Sequence, residues 1–467
     1  MVPDWRKMQI NIKGEKPIYE EIYEYFKEAI LEKRFKKDEK LPSKRKLAKD
    51  LDLAVNTVTS AYELLACEGY IRTVEKRGYF VNDIGSVYSL KSEEKDFAKR
   101  AEKKSYKYSF LITEGDRSSY PIKQFKKIFS QELIYDSEFF ERDYQGLFGL
   151  RREIKNYLFK IRGVKTSEDN IIISSGLEYL LMTLFLILQN KVSIALENPG
   201  YKVLETLLKV NHINYEAVSL DASGMNFKEF LKSNCNIALL TPSNQFPTAK
   251  VMPIKRRFEF LNWAYLADDR YIIEDDYDSE FRYASKAISP IKSFDEMDKV
   301  IYIANFSKSI SPLLRLSYMV LPNKLLHAYR EIRPLMNSPV SNIVQILVKD
   351  FIKDGHFERQ LNRMKAIYNK KRLTIIDEFK NIDSVKIVDS MAGMHVKLYV
   401  KGLSDYSELI HLLEKKSVEV QAISSYTFGN KNIKEDALLL GYGAMSENDL
   451  KDALAIIKET IKSLKKN

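Results

Sequence analysis

The sequence predicts a multidomain chain: a small N-terminal α+β module, a polar tether, and a large α/β domain ending in a small α+β subdomain. Three observations predict it. The first eighty residues carry helical apolar stripes and then two short strand-like runs around a turn. A charged stretch without an apolar face follows. Beyond it, short apolar runs alternate with longer helical patterns, the mark of a mostly parallel sheet.

Composition bounds the function. The chain has 467 residues, enough for two or three domains with a large core. It is 45% apolar and 30% charged, which excludes disordered and fibrous classes. The net charge of +11 permits a polyanionic partner. The excess is concentrated between Lys27 and Lys49, where ten Lys or Arg stand against four Asp or Glu. Two distant cysteines, Cys67 and Cys235, offer neither a disulfide framework nor zinc spacing, in keeping with a reducing cytoplasm. The five histidines are scattered without ligand spacing, so no metal is expected. The first residues have no apolar signal region. The longest apolar run, 179–188, is too short to span a bilayer and reads as a buried helix.

In the N-terminal module (1–82), Pro17 opens a helix with Ile18, Ile22, Phe26 and Ile30 on one stripe. Ser43 caps a second helix over 44–50, with Leu47, Ala48 and Leu51 inward. A third starts near Asn56, carries Val58, Ala61, Leu64 and Leu65 on one side, and ends at Gly69. Strands over 70–74 and 79–81 flank a turn at 75–78. Three helices and a hairpin, with a tight turn between helices two and three, make a winged helix-turn-helix.

Four linked runs then carry a resemblance: Leu-Pro-Ser-Lys-Arg-Lys-Leu-Ala, Asn-Thr-Val-Thr-Ser-Ala-Tyr-Glu-Leu-Leu, Glu-Gly-Tyr-Ile and Arg-Gly-Tyr-Phe-Val. In this order, over residues 10–82, they resemble the GntR-type winged-helix DNA-binding domain. The resemblance implies a double-stranded operator as partner. It offers Arg45, Asn56, Thr57, Thr59 and Tyr62 as DNA contacts, with Arg77 and Gly78 at the wing tip. The chemistry is suitable: arginine binds phosphate or a guanine edge, and asparagine reads adenine.

Residues 83–109 are polar and charged, and read as an exposed tether. In the third part (110–467), strands are expected over 171–174, 192–196, 237–240, 271–274, 300–304 and 318–321. Helices are expected over 177–188 and 255–267, then a mainly helical stretch over 323–379. A smaller α+β portion follows, with strands over 386–388 and 395–400 and a final helix over 447–464.

Active sites in such sheets gather at the carboxyl ends of the strands. Gly176 and Leu177 open a helix there, whose free N–H groups suit a phosphate. Tyr201 follows the second strand and Asn244 the third. Asp275 and Tyr277 end the fourth. Lys308 lies in the turn after the fifth, with Arg315 seven positions on. A lysine can form a Schiff base with an aldehyde, an acid can pair with a pyridinium nitrogen, and an arginine can grip a phosphate. That combination describes pyridoxal 5'-phosphate.

Together these turns resemble the fold type I aminotransferases, and more closely the aminotransferase-like domain of the MocR regulators. The resemblance implies that Lys308 attaches the cofactor and Asp275 pairs with its pyridine nitrogen. Tyr277, with Asn244, faces its phenolic oxygen, and Tyr201 stacks on its ring. Gly176, Leu177, Asn305, Ser307 and Arg315 surround its phosphate. A head-to-tail homodimer is implied as well.

Three departures bear on function. No arginine follows Arg372 to clamp a substrate carboxylate; Tyr426 lies near where one is expected. Glu141 stands where a phosphate-binding tyrosine is common, with Tyr144 displaced, and Ser317 replaces a glycine. The expectation is therefore a transcriptional regulator that senses a small molecule, either pyridoxal phosphate itself, in control of vitamin B6 synthesis, or an amine or amino acid. The alternative is a working aminotransferase with an accessory DNA-binding module.

Overall fold

A computed structural model describes residues 16–84, 104–112, 115–116, 119–131, 137–189, 192–283, 288–335, 337–429 and 435–464. They fall into two compact units that divide between Lys103 and Lys104.

The first unit contains α1 (Ile18–Leu31), α2 (Lys44–Asp50), α3 (Val55–Cys67) and the antiparallel hairpin β1 (Ile71–Val74) and β2 (Gly78–Val81). α1 buries Ile22, Phe26, Ala29 and Ile30, the stripe expected of a half-buried helix. Ser43 accepts the Lys46 N–H at 3.3 Å and so caps α2. α3 closes the core with Val58, Ala61, Tyr62 and Leu65.

Tyr62 is a correction. It is fully buried, packs edge-on against Phe26 and Tyr79, and donates its hydroxyl to the Pro42 carbonyl at 3.0 Å. It sits four residues after Val58 and therefore on the same helix face. Tyr62 ties α3 to the start of α2 and is not free to touch DNA.

The second unit begins earlier than the expected tether allows. Residues 85–103 lie outside the described residues. At the tether's far end, β3 (Tyr108–Ser109) pairs in parallel with Val418–Glu419. Tyr108, Phe110 and Ile112 are buried at alternate positions, a strand pattern too short to stand out in the sequence.

An eight-stranded sheet forms the centre of this unit. Its strands are β4 (Ile171–Ser174), β5 (Ser193–Asn198), β6 (Asn214–Asp221), β7 (Gly224–Met225), β8 (Ile237–Leu240), β9 (Tyr271–Asp276), β10 (Val300–Asn305) and β11 (Ser317–Val320). The order is β4-β11-β10-β9-β8-β5-β6-β7. β10, β9, β8, β5 and β6 run parallel; β11 is antiparallel to both β10 and β4. β8 and β9 are buried along their whole length; β8 reads as an unbroken apolar run, and β9 is apolar over its first three residues before its three buried acids. This topology brings the carboxyl ends of β4, β5, β8, β9 and β10 and the start of β11 to one edge.

The smaller subdomain contains β12 (Val385–Val388), β13 (His395–Val400), β14 (Val418–Glu419), β15 (Gln421–Ala422) and β16 (Leu438–Gly441). Its four-stranded sheet runs β12-β13-β16-β15 and is antiparallel throughout. Val396, Leu398, Leu438 and Leu440 on one face pack with Met364 and Tyr368 of the helix His356–Phe379 and with Leu454 and Ile457 of Glu447–Leu464. On the other face, His395 and Lys397 reach the Pro247 and Thr248 carbonyls at 2.8 and 2.6 Å. No described helix is long and apolar enough to cross a membrane.

Candidate cofactor site and DNA interface

Nine of the ten residues expected to hold a cofactor line one cavity at the carboxyl edge of the large sheet. At its centre is Lys308, carried on the turn after β10. Its Nζ lies 4.5 Å from the centre of the Tyr277 ring. Burial lowers the Lys308 pKa, opposed by the Asp278 and Asp275 carboxylates. A buried amine inclined to neutrality is a nucleophile.

β9 presents three acids in succession, and alternation sorts them. Glu274 accepts the backbone N–H groups of Ile291 and Lys292 at 2.8 and 2.9 Å. Asp276 is held by Arg162 and by the Tyr302 hydroxyl, both at 2.5 Å. Asp275 alone of the three lines the cavity. Burial, reinforced by Asp276 and Asp278 and opposed by Lys308, pushes its carboxyl up to about 7. A cationic ring nitrogen beside it would favour the ionised form.

At the other end, Gly176 precedes the helix Leu177–Leu188 with φ +96. A Cβ there would come within 2.8 Å of both Arg315 Nη2 and Glu178 Oε2, so only glycine leaves this end open. Arg315 is itself left-handed, at φ 49. Its guanidinium lies 3.5 Å from Glu178. Asn305 accepts the Ser307 N–H at 3.0 Å, which fixes the turn that carries both Ser307 and Lys308. The Ser317 and Ser309 hydroxyls are buried without a protein partner.

Asn244 is the tenth residue and stands behind the cavity wall. Its Nδ2 donates to Asp278 at 2.8 Å, and its main-chain carbonyl accepts the Tyr277 hydroxyl at 2.8 Å. Asn244 thus orients Tyr277. Gly393 (φ +73) lets the small subdomain approach this pair; a Cβ there would collide with Asn244 Nδ2.

The sequence reading missed the aromatic centre. Phe246 lies among Tyr426, Tyr201 and Tyr277, with ring centres 4.9, 5.8 and 6.1 Å away. Phe428 also lines the cavity, anchored where its N–H donates to Asn198 Oδ1 at 3.0 Å. Tyr426 bonds Gln421 through its hydroxyl and accepts the Gly200 N–H through its carbonyl. Arg372 is paired with Asp389. Glu141 and Tyr144 are exposed on the chain.

In the first unit, Arg45 and Asn56 are exposed, Thr57 and Thr59 half-buried, and Thr59 donates to the Val55 carbonyl at 2.9 Å. The wing turn contains Lys76 at φ 58 and Gly78 at φ 110, with Arg77 between them lying over the Phe80 ring.

Fold and cavity together define a winged helix joined to an aminotransferase-like domain. Residues 18–81 match the bacterial regulatory proteins of the gntR family. The chain is 33% identical over 449 residues to YdeL of Bacillus subtilis, an HTH-type transcriptional regulator, covering 95% of this chain and 96% of that one. It is 26% identical to the HTH-type pyridoxine biosynthesis transcriptional regulator PdxR of Corynebacterium glutamicum, covering 90% and 91%. Kynurenine aminotransferase of Pyrococcus horikoshii shares the fold: TM-score 0.68, 20% identity, 81% of this chain and 97% of that one. The chain belongs to the MocR-type GntR transcriptional regulators, HTH-type DNA-binding proteins with an aminotransferase-like domain.

Proposed function

We propose that this regulator is a cytoplasmic homodimer, arranged head to tail, that holds pyridoxal 5'-phosphate at Lys308 and changes its operator affinity in response. The observation that carries the reading is the setting of Lys308: a buried amine between a buried acid and a glycine-floored pocket with an arginine. The donor set fits the cofactor. Gly176 leaves room for a phosphate at a helix N-terminus, where backbone N–H groups and the helix dipole favour an anion. When bound, the cofactor supplies an aldehyde for the lysine and an electron-withdrawing ring. Lys308 would present its amine to that aldehyde, and Asp275 would keep the ring nitrogen protonated. Tyr277 would serve the phenolic oxygen and Tyr201 the ring. Arg315, Asn305, Ser307 and the N–H groups of Gly176 and Leu177 would hold the phosphate.

The cofactor itself is the leading effector. Two observations support this over an amino acid: PdxR is a relative, and no arginine follows Arg372, which is already paired. A substrate carboxylate left without a cation in a buried site is costly. On DNA, Arg45, Asn56, Thr57, Thr59, Arg77 and Gly78 form the contact set.

Two measurements test the reading. The purified protein should show a visible absorbance band that Lys308→Ala abolishes. Cofactor-free and loaded protein should differ in operator affinity; equal affinity would remove the sensing role. Sustained turnover of an amino acid with a keto acid would instead favour an active aminotransferase.

A further inference from the structure

We infer that α3 reads thymine methyl groups in the major groove through Val55 and Thr59. The inference rests on the operator-binding reading above and concerns which bases that face accepts. Val55 is the first residue of α3, 42% exposed, and it fills no core position; that work falls to Val58, Ala61, Tyr62 and Leu65. Thr59 follows one turn later. Its hydroxyl donates to the Val55 carbonyl at 2.9 Å, so its one proton is engaged; the methyl group and the acceptor side of the oxygen are left to face a partner. Val55 and Thr59 are neighbours on the helix surface and present a small branched apolar patch.

Helix stability does not account for this choice. Ala54, the N-cap, makes no side-chain capping bond. β-branched residues are poor helix formers, and an exposed valine gains nothing from water. The same unit is rich in cations: exposed Arg45, Lys46 and Lys49 on α2, and Lys76 and Arg77 on the wing turn. An apolar patch on a basic module suits the one apolar group that the major groove displays, the thymine C5-methyl. Neither Val55 nor Thr59 can donate to guanine O6 and N7 as an arginine would. Exposed Asn56, beside them, suits the adenine N6 and N7 edge. Val55 and Asn56 therefore favour A·T pairs opposite this turn.

The test uses the full-length protein. Tight-binding duplexes are first selected from a random pool. Each thymine of the selected operator is then replaced by deoxyuridine, which pairs identically but lacks the methyl. The expected result is a loss of about fourfold in affinity at each methyl-contacting position, the worth of one buried methyl-sized group. Val55→Ala should abolish the dependence at one position and Thr59→Ser at another, while Thr59→Val keeps it. Unchanged thermal unfolding of each variant shows that the module is folded. Equal binding of thymine and uracil operators, or guanine selected opposite α3, overturns the inference while leaving operator binding intact. Failure to retain any duplex overturns the operator-binding reading and the inference with it.

Discussion

The guanidinium of Arg315 lies 3.5 Å from the carboxylate of Glu178, both on the wall of the cavity. The group proposed to grip a phosphate thus already has an anionic neighbour. A bound phosphate must share Arg315 with Glu178 or displace it. An exposed ion pair is worth about 0.2–1 kcal/mol. Glu178→Gln is therefore expected to tighten cofactor binding by up to about fivefold, more so at low salt. Spectroscopic titration of cofactor-free protein checks this; weaker binding would mean that Glu178 serves to orient Arg315.

Asp275→Asn keeps the shape of the site and removes the charge. A hydrogen bond to a charged group contributes about 1.5–3 kcal/mol, so cofactor affinity should fall about 10- to 100-fold. Asp276→Asn, on the opposite face of β9, should disturb the Arg162 pair and so lower thermal stability, with a smaller effect on affinity. Comparing the two variants by titration and thermal unfolding separates the roles.

Burial pushes several carboxyls up in the cofactor-free protein: Asp275, Glu197 and Glu274 to about 7 and Asp278 to about 6. The folded chain keeps these protons at pH values where the unfolded chain has released them. Their contribution is fully present below about pH 4, is eroded above it, and is lost as pH rises through about 7. The melting temperature of cofactor-free protein should therefore fall between pH 5 and pH 8. Cofactor should reduce the fall, because a cationic ring nitrogen stabilises ionised Asp275. An unchanged pH dependence on loading would place the cofactor away from Asp275.

Tyr62→Phe should cost the N-terminal module about 1–3 kcal/mol, because the buried Pro42 carbonyl loses its donor. Operator affinity measured well below the melting transition should hardly change. A large loss of affinity in the folded variant would return Tyr62 to the DNA surface.

Much of this was legible in the sequence for a physical reason. Parallel strands buried on both faces write continuous apolar runs, so β8, β10 and the apolar first half of β9 stood out, and Asp275 and Lys308 were found at or just beyond their ends. β6 was missed because it alternates half-buried and exposed residues. β15 was missed because it is only two residues long, and β16 was missed although it is as long and as apolar as β8. Phe246, Phe428 and Gly393 left no local sign: their roles exist only once the small subdomain meets the large one. Tyr62 did leave one, its four-residue spacing from Val58, which outweighs a polar hydroxyl.

The parallel pairing of Tyr108–Ser109 with Val418–Glu419 has a mechanical consequence. Phe110 continues the connection, donating to the Glu419 carbonyl at 2.8 Å and accepting the Gly441 N–H at 3.0 Å. The start of the second unit is thus moored to the small subdomain's strands, not to the eight-stranded sheet. That same subdomain supplies Phe428 to the cavity wall. A displacement of the small subdomain would therefore carry Tyr108–Phe110 with it.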